Sequence, residues 1–366
     1  MPTSLKVFII EPFNGGSHAA WLEGIEKHSG HQIIVISHSA SSWRWRVRGS
    51  ALTLAELTEK KILEHGNPDL ILASSMLDLP AWLGFTRRFL GNPPVILYQH
   101  ENQLTYPVAS EKNVDDSFKL INWKNMSIAD SVWFNSEFHY ESLFSVLPDF
   151  LKNVPDFSHL HQLESVREKS EVVPLGVELS QIPKSLSLNS TPLILWNHRW
   201  EYDKNPKTVF LSLKELANEG LDFNIAVAGE YSPSSKEKIE SLYEGLGQRI
   251  IHSGYLPKRE YFSLLSKVDV VVSASLHEFF GISIVEAVAA GALPVLPNRL
   301  SYPEVIPNAW HEFVLYDEGE FSDRLRKVLT DFDHWKSGIK GLPEAMQKFD
   351  WAEMIKIYDK KFDEIA

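Results

Sequence analysis

Residues 270–297 read VVVSASLHEFFGISIVEAVAAGALPVLP, and the order of features inside them decides the fold. An apolar run ends near Ser275. A polar loop then carries Glu278, Gly281 opens a helical stretch that holds Glu286 and closes near Gly291, and a second apolar run follows. Strand, loop, helix, strand is the unit from which parallel sheets are built. The apolar runs are continuous rather than alternating, as strands are when helices cover both sheet faces.

The same rhythm extends outward in both directions. LILWNH, FNIAVAG, RIIHSG, VDVVVSAS and ALPVLP form one alternating series in the second half. LKVFII, HQIIVIS, DLILAS, PVILYQH and SVWFNS form another in the first half, separated by helical stretches such as TLAELTEKKILEH and DDSFKLINWKNMSIA. Residues 148–170 break the rhythm, the strand EVVPLGV follows, and the serine- and proline-bearing ELSQIPKSLSLNSTP reads as a linker. The expected class is α/β, with two Rossmann-like, doubly wound domains over 1–183 and 184–345 facing across a cleft. The amphipathic tail, 346–366, is expected to cross back onto the first domain and bury Trp351, Ile355 and Phe362. Ligands of open α/β sheets bind outside the carboxyl ends of the strands, so functional residues belong in the loops just after them.

Composition narrows the function classes. The chain has 366 residues, too many for one ordinary core. A formal net charge of −12 argues against broad, sequence-independent nucleic-acid binding but leaves room for one local basic surface. There is no cysteine, which excludes disulfides and thiolate chemistry. MPTSLKVFII lacks the basic start and long apolar core of a signal peptide and reads as a first strand. No apolar run approaches the roughly 18 residues that span a bilayer. The expectation is a cytoplasmic, monomeric enzyme that does not engage membranes.

Four stretches carry chemistry. Glu278 and Glu286 lie eight residues apart, roughly 12 Å along a helix spanning them. They do not share a proton there, but they suit the two ends of an extended ligand. The N–H groups of Phe280, Gly281 and Ile282 open the helix and suit a phosphate or sugar hydroxyl. In WNHRWEYDKNP, Arg199 and Lys204 sit on a loop before a helix. They suit a diphosphate, and equally a solvated pair offset by Glu201 and Asp203. In EPFNGGSHAAW, Gly15 and Gly16 form a turn that admits close backbone approach, while His18 reads as structural. In YQHENQLTYPV, a run of polar side chains from Gln99 through His100, Glu101 and Asn102 to Gln103 follows an apolar strand. No spacing of histidines and carboxylates demands a metal.

HEFFGISIVEAVAAGALPVLP resembles the Glu-x7-Glu signature of retaining GT-B glycosyltransferases of family four. The resemblance implies that Glu278 contacts the donor sugar and Glu286 the nucleotide ribose. It places Arg199 and Lys204 on the donor diphosphate, Gly15 and Gly16 beside it, and His100 near the sugar. It leaves the base to the backbone around Tyr255 and Leu256. Together with EPFNGGSH, WRWRVRGSAL, QHENQLTYPV, FNSEFH, HRWEYDK, GYLPKREYF and YPEVIP, it narrows to the tRNA-queuosine mannosyltransferase family. That implies a GDP-mannose co-substrate, a tRNA acceptor, and no bound metal or other cofactor. The two other classes are a family-four enzyme acting on a saccharide, lipid or small molecule, and a non-catalytic nucleotide or RNA binder.

Residues 43–48, WRWRVR, belong on the acceptor side in this reading, with Glu101 and Asn102. Strict alternation would place Trp43, Trp45 and Val47 on one strand face and Arg44, Arg46 and Arg48 on the other. The alternative is a loop anchored by its tryptophans. In either form the arginines suit phosphates and the tryptophans suit base stacking.

Overall fold

The structure, a computed structural model, describes residues 4–107, 115–184, 189–230 and 236–366. Residues 185–188 of the expected linker and Val108 of the YQHENQLTYPV stretch lie outside the described residues. The chain forms two compact units, one of residues 1–177 with 351–366 and one of residues 178–350.

The first unit holds β1 (Lys6–Asn14), β2 (Gln32–Ser39), β3 (Leu70–Ser74), β4 (Val95–Gln99), β5 (Ser131–Phe134) and β6 (Ser170–Val172). They form a parallel sheet in the order β2-β1-β3-β4-β5-β6. β3 and β4 are buried at every residue, which accounts for their unbroken apolar sequences. Two helices matter most for the site, α1 (Gly16–His28) and α2 (Trp43–His65).

The second unit holds β7 (Leu193–Trp196), β8 (Asn224–Val227), β9 (Ile250–Ser253), β10 (Val270–Val272), β11 (Leu293–Pro297) and β12 (Leu315–Tyr316). Its parallel sheet runs β12-β11-β10-β7-β8-β9. The chain winds outward from β7 in one direction and outward from β10 in the other. β7 and β10 are therefore the neighbours at which the winding reverses.

The C-terminal helix Trp351–Ile365 crosses back to the first unit. Trp351, Ile355 and Phe362 are all buried. The Trp351 ring lies between two glycines that leave room for it. A Cβ on Gly24 would come within 2.0 Å of that ring, and one on Gly176 within 2.3 Å. Further along, Trp21 donates its indole N–H to the Tyr358 hydroxyl at 3.2 Å, and Tyr358 donates to the carbonyl of Pro174 at 3.1 Å. Phe362 stacks on Trp133 at 5.7 Å between centroids. The units change over at 177/178 rather than at the expected 183/184, because Glu178–Ile182 already pack in the second unit. The Asp350 carboxylate accepts the N–H groups of Leu179 and Ser180 there, at 3.1 and 3.0 Å. Among the described residues no helix is long and apolar enough to cross a membrane.

Candidate active site

In the second unit the loops after β7 and β10 flank the point where the winding reverses. The first carries Arg199 and Lys204, the second Glu278. A main-chain hydrogen bond ties the loops together, from Leu276 N–H to Asp203 C=O at 2.7 Å. Lys204 is 8% exposed. Its ammonium donates to the His277 carbonyl at 2.8 Å and to Glu278 Oε2 at 3.2 Å, and it lies 3.1 Å from Asp203 Oδ2. Burial acts most strongly and would raise the Glu278 pKa, but the Lys204 charge and hydrogen bond, joined by His198 and His277, together outweigh it and hold the carboxyl below its ordinary value. The pair is mutual, since burial would discharge Lys204 while Glu278 and Asp203 keep its pKa raised. Burial, then the Lys204 charge, lowers both His198 and His277 to about 4. Those imidazoles are neutral at pH 7, and the Asp203–Lys204–Glu278 cluster sums to one negative charge. Arg199 is placed differently. Its side chain is 60% exposed, with Glu201 at 3.2 Å.

The loop is held from beneath. Gly281, at φ +93°, turns the chain into the helix Ile282–Ala290 in a conformation that favours glycine. The Ser301 hydroxyl donates to the carbonyls of Glu278 and Phe280 at 3.3 and 3.1 Å, and Arg299 donates to Ser275 C=O at 3.2 Å. Phe280 is buried edge-on against Phe349, so its side chain belongs to the core and only its main chain faces the loop. Gly229 is required for packing, because a Cβ there would fall 1.9 Å from the His198 carbonyl oxygen. Glu286 is reached through a second network. Asn197, after β7, donates to the Tyr261 hydroxyl at 2.9 Å and to Ser283 C=O at 2.8 Å, and Tyr261 hydrogen-bonds to Glu286. Burial raises the Glu286 carboxyl to about 7, against the opposing effects of Tyr261 and Lys258. Tyr255, strongly exposed, and Leu256 follow Gly254 on the loop after β9.

In the first unit, Gly15 precedes α1 where a Cβ would come within 2.3 Å of the Ala40 side chain, and Gly16 adopts φ +55°. His100, ending the β4 loop entry, is buried beside His18, Trp21 and Tyr98. Burial chiefly, then His18 and His139, holds its pKa well below the ordinary histidine value. The polar run around it differs from a solvated loop, since Gln99, His100 and Asn102 are all buried. The Asn102 side-chain Oδ1 accepts the N–H groups of Leu104 and Thr105 at 3.0 and 2.9 Å and shapes its own loop. Glu101 is half-buried and accepts from Gln103 at 3.2 Å. Glu11, His18 and His100 bring three metal-type ligand atoms within 4.8 Å of one another. They come from three separate segments, which is why no spacing in the sequence announced them.

WRWRVR is neither strand nor loop. It forms the first turn and a half of α2, entered through Ser42 at φ +46°. Val47, Ser50, Ala51 and Leu54 supply the buried helical stripe that the two-residue alternation conceals. Trp45 is 68% exposed, and its ring lies over Gly49, where an added Cβ would come within 3.0 Å of it. Arg44 stacks over Trp43 at 5.5 Å and stays exposed. Arg46 turns back to Ser39 C=O and Ser41 Oγ, both at 3.2 Å. Arg48 pairs with Asp115 and covers the Phe118 ring at 4.6 Å. Three cations and no acid stand in the first two turns, where the helix dipole disfavours positive charge.

Residues 6–177 match the family described as "tRNA-queuosine alpha-mannosyltransferase N-terminal", and residues 179–340 match "Glycosyl transferases group 1". A curated tRNA-queuosine alpha-mannosyltransferase of Drosophila melanogaster is 36% identical over 315 residues, covering 82% of this chain and 81% of that one. The chain belongs to the tRNA-queuosine alpha-mannosyltransferase family. It is therefore a hexosyltransferase. The fold is GT-B. Sucrose-phosphate synthase of Thermosynechococcus elongatus superposes with a TM-score of 0.78 at 15% identity, over 98% of both chains. Anabaena HepE, solved in complex with UDP, gives 0.72 at 14% identity over 98% of this chain and all of its own.

Proposed function

We propose that this member of the tRNA-queuosine alpha-mannosyltransferase family transfers mannose from GDP-mannose to queuosine in tRNA, with retention at the anomeric carbon. The observation that carries the reading is relatedness to one such enzyme over both halves of the chain, together with a buried Lys204–Glu278 pair at the winding reversal of the second sheet. A carboxylate kept ionised in a largely buried site accepts hydroxyl hydrogen bonds strongly, which suits Glu278 to the donor sugar. Glu286, oriented by Tyr261, takes the ribose hydroxyls. Arg199 offers a planar fork to the diphosphate. Lys204 adds a point charge already partly neutralised by its carboxylates, so it also fixes Glu278 in place. Gly15 and Gly16 bring main chain to the diphosphate, the Tyr255–Leu256 backbone meets the base, and His100 meets the sugar.

In the step proposed, the bond from the anomeric carbon to the β-phosphate oxygen breaks while a queuosine hydroxyl attacks from the same face. That hydroxyl's proton passes to the departing phosphate, so no protein base is required. The protein supplies electrostatic stabilisation of the separating charges. Neither a metal nor a further cofactor takes part in this proposal, and a tRNA acceptor sets the reaction in the cytoplasm. The exposed face of α2 receives the tRNA. Trp45 offers a flat ring with an open side, and Arg44 and the helix N-terminus offer positive potential to phosphate.

The test is incubation with radiolabelled GDP-mannose and tRNA that either carries or lacks queuosine. The expected result is label in tRNA only when queuosine is present, and nucleoside mass spectrometry then places one hexose on queuosine. Label transfer to a saccharide or lipid instead, with none to queuosine-bearing tRNA, contradicts the reading.

A further inference from the structure

Glu11 bears on His100, and the role given to it here rests on the reading of His100 as a donor-sugar contact. Glu11 is fully buried in β1, directly after the four fully buried residues Val7–Ile10. A carboxylate in such a place is costly unless its oxygens are satisfied. Here both are. Oε1 accepts the Phe13 N–H at 2.8 Å, and Oε2 meets His18 Nδ1 at 2.9 Å. As a carboxylate, Glu11 only accepts, so the proton of that contact sits on His18 Nδ1 and the His18 tautomer is fixed.

His18 in turn forms one wall of the His100 ring, with centroids 4.1 Å apart; Trp21 closes edge-on at 4.6 Å and Tyr98 at 4.7 Å. The His100 main chain is pinned by Asn135, whose amide donates to its carbonyl at 2.9 Å. His100 Nε2 is buried, has no hydrogen-bond partner among the described residues, and lies 4.0 Å from Glu11 Oε2.

We propose that Glu11 and His18 are positioning residues for His100: Glu11 locks His18 as a wall of the His100 pocket, and its charge selects the His100 tautomer protonated on Nε2. An N–H dipole directed towards a buried carboxylate is stabilised, whereas the other tautomer would turn a lone pair towards it. His100 Nδ1 is then the lone-pair nitrogen and accepts a hydrogen bond from a donor hydroxyl.

Two histidines and a glutamate are also a zinc-type donor set. A zinc ion lies in the plane of each ligating ring, about 2.1 Å from its nitrogen. The His18 and His100 rings instead pack with centroids 4.1 Å apart, 37° from parallel, with His18 Nδ1 2.9 Å and His100 Nε2 4.0 Å from Glu11 Oε2. The geometry favours hydrogen bonding over metal binding.

The test compares His100→Gln, Glu11→Gln and His18→Asn with the unaltered full-length protein, using GDP-mannose and queuosine-bearing tRNA. It also reads histidine tautomers by long-range 15N–1H spectra without substrate. The expected result is a kcat lowered about 10- to 100-fold in Glu11→Gln with the GDP-mannose KM little changed, as for other outer-shell partners. The His100 signal should shift from the Nε2–H tautomer towards a mixture. His18→Asn, which keeps the Glu11 charge, should lower kcat but leave the His100 tautomer in place, and it serves if Glu11→Gln does not fold. A wild-type kcat and tautomer in Glu11→Gln, alongside a kcat loss in His100→Gln, overturns the positioning role alone. Full activity in His100→Gln overturns the sugar-contact reading and the inference with it. One equivalent of zinc in the isolated protein, lost in Glu11→Gln, overturns it in favour of a metal centre.

Discussion

Lys204 and Arg44 are both cations that the sequence offers to phosphate, and they occupy opposite environments. Lys204 is buried among Asp203, Glu278 and the His277 carbonyl, on a loop braced by main-chain hydrogen bonds. Arg44 stands exposed at the start of α2, with Trp43 beneath it and Trp45 next in sequence. The first environment fixes a geometry and leaves little tolerance for change. The second keeps its charge in water, where it can attract a polyanion at a distance and adapt to it. The proposed reading assigns chemistry that must align atoms to the former, and capture of a large acceptor to the latter.

Lys204→Met should have the largest effect. It leaves Asp203 and Glu278 buried without their cation, at a cost of about 3 kcal/mol, so a thermal melt should show a clear drop in Tm. Turnover should fall at least a thousandfold, measured as GDP release with tRNA present. A fully stable, active Lys204→Met would erase the distinction between the two regions. Glu278→Gln keeps the shape and removes the charge. Turnover should drop roughly a hundredfold while the circular dichroism spectrum stays unchanged.

The pH dependence sharpens the same contrast. Glu286 is raised to about 7 by burial. A carboxyl whose folded pKa exceeds its unfolded one binds more protons when folded. Its stabilising contribution is complete below about 4.5 and is lost as pH rises towards 7. At the proposed ribose contact the dependence runs the other way, because only the ionised form would accept from both ribose hydroxyls through both of its oxygens. GDP affinity, measured calorimetrically, should tighten between pH 6 and 8, and Glu286→Gln should flatten that rise.

The two regions were unequally legible. β7 and β10, whose following loops carry Arg199, Lys204 and Glu278, are unbroken apolar runs between helical segments, so these strands and the loops after them could be read directly. Glu278, Glu286, Arg199 and Lys204 lie where such loops fall. Tertiary partnerships were not visible. Tyr261 reaches Glu286 from a different helix, Ser301 props the Glu278 loop from beyond β11, and Glu11 on β1 meets His100 after β4, with β3 between the two strands. Residues 43–48 misled because alternation over six residues looks extended. Only Val47 and the residues after it mark the helical stripe, and although Ser42 stands at the N-cap, the first turn lacks the acidic residues that usually mark a helix start. The domain boundary was placed six residues late, since Asp350 gathers Leu179 and Ser180 into the second unit from far along the chain.

The smallest of the expected effects tests the division of labour most directly. In an Arg44→Glu, Trp45→Ala double variant, steady-state kinetics with both substrates varied should show the tRNA KM raised about tenfold or more. The KM for GDP-mannose should stay as in the unaltered enzyme. Equal change in both constants, or in neither, would contradict the account and return the start of α2 to a purely structural role.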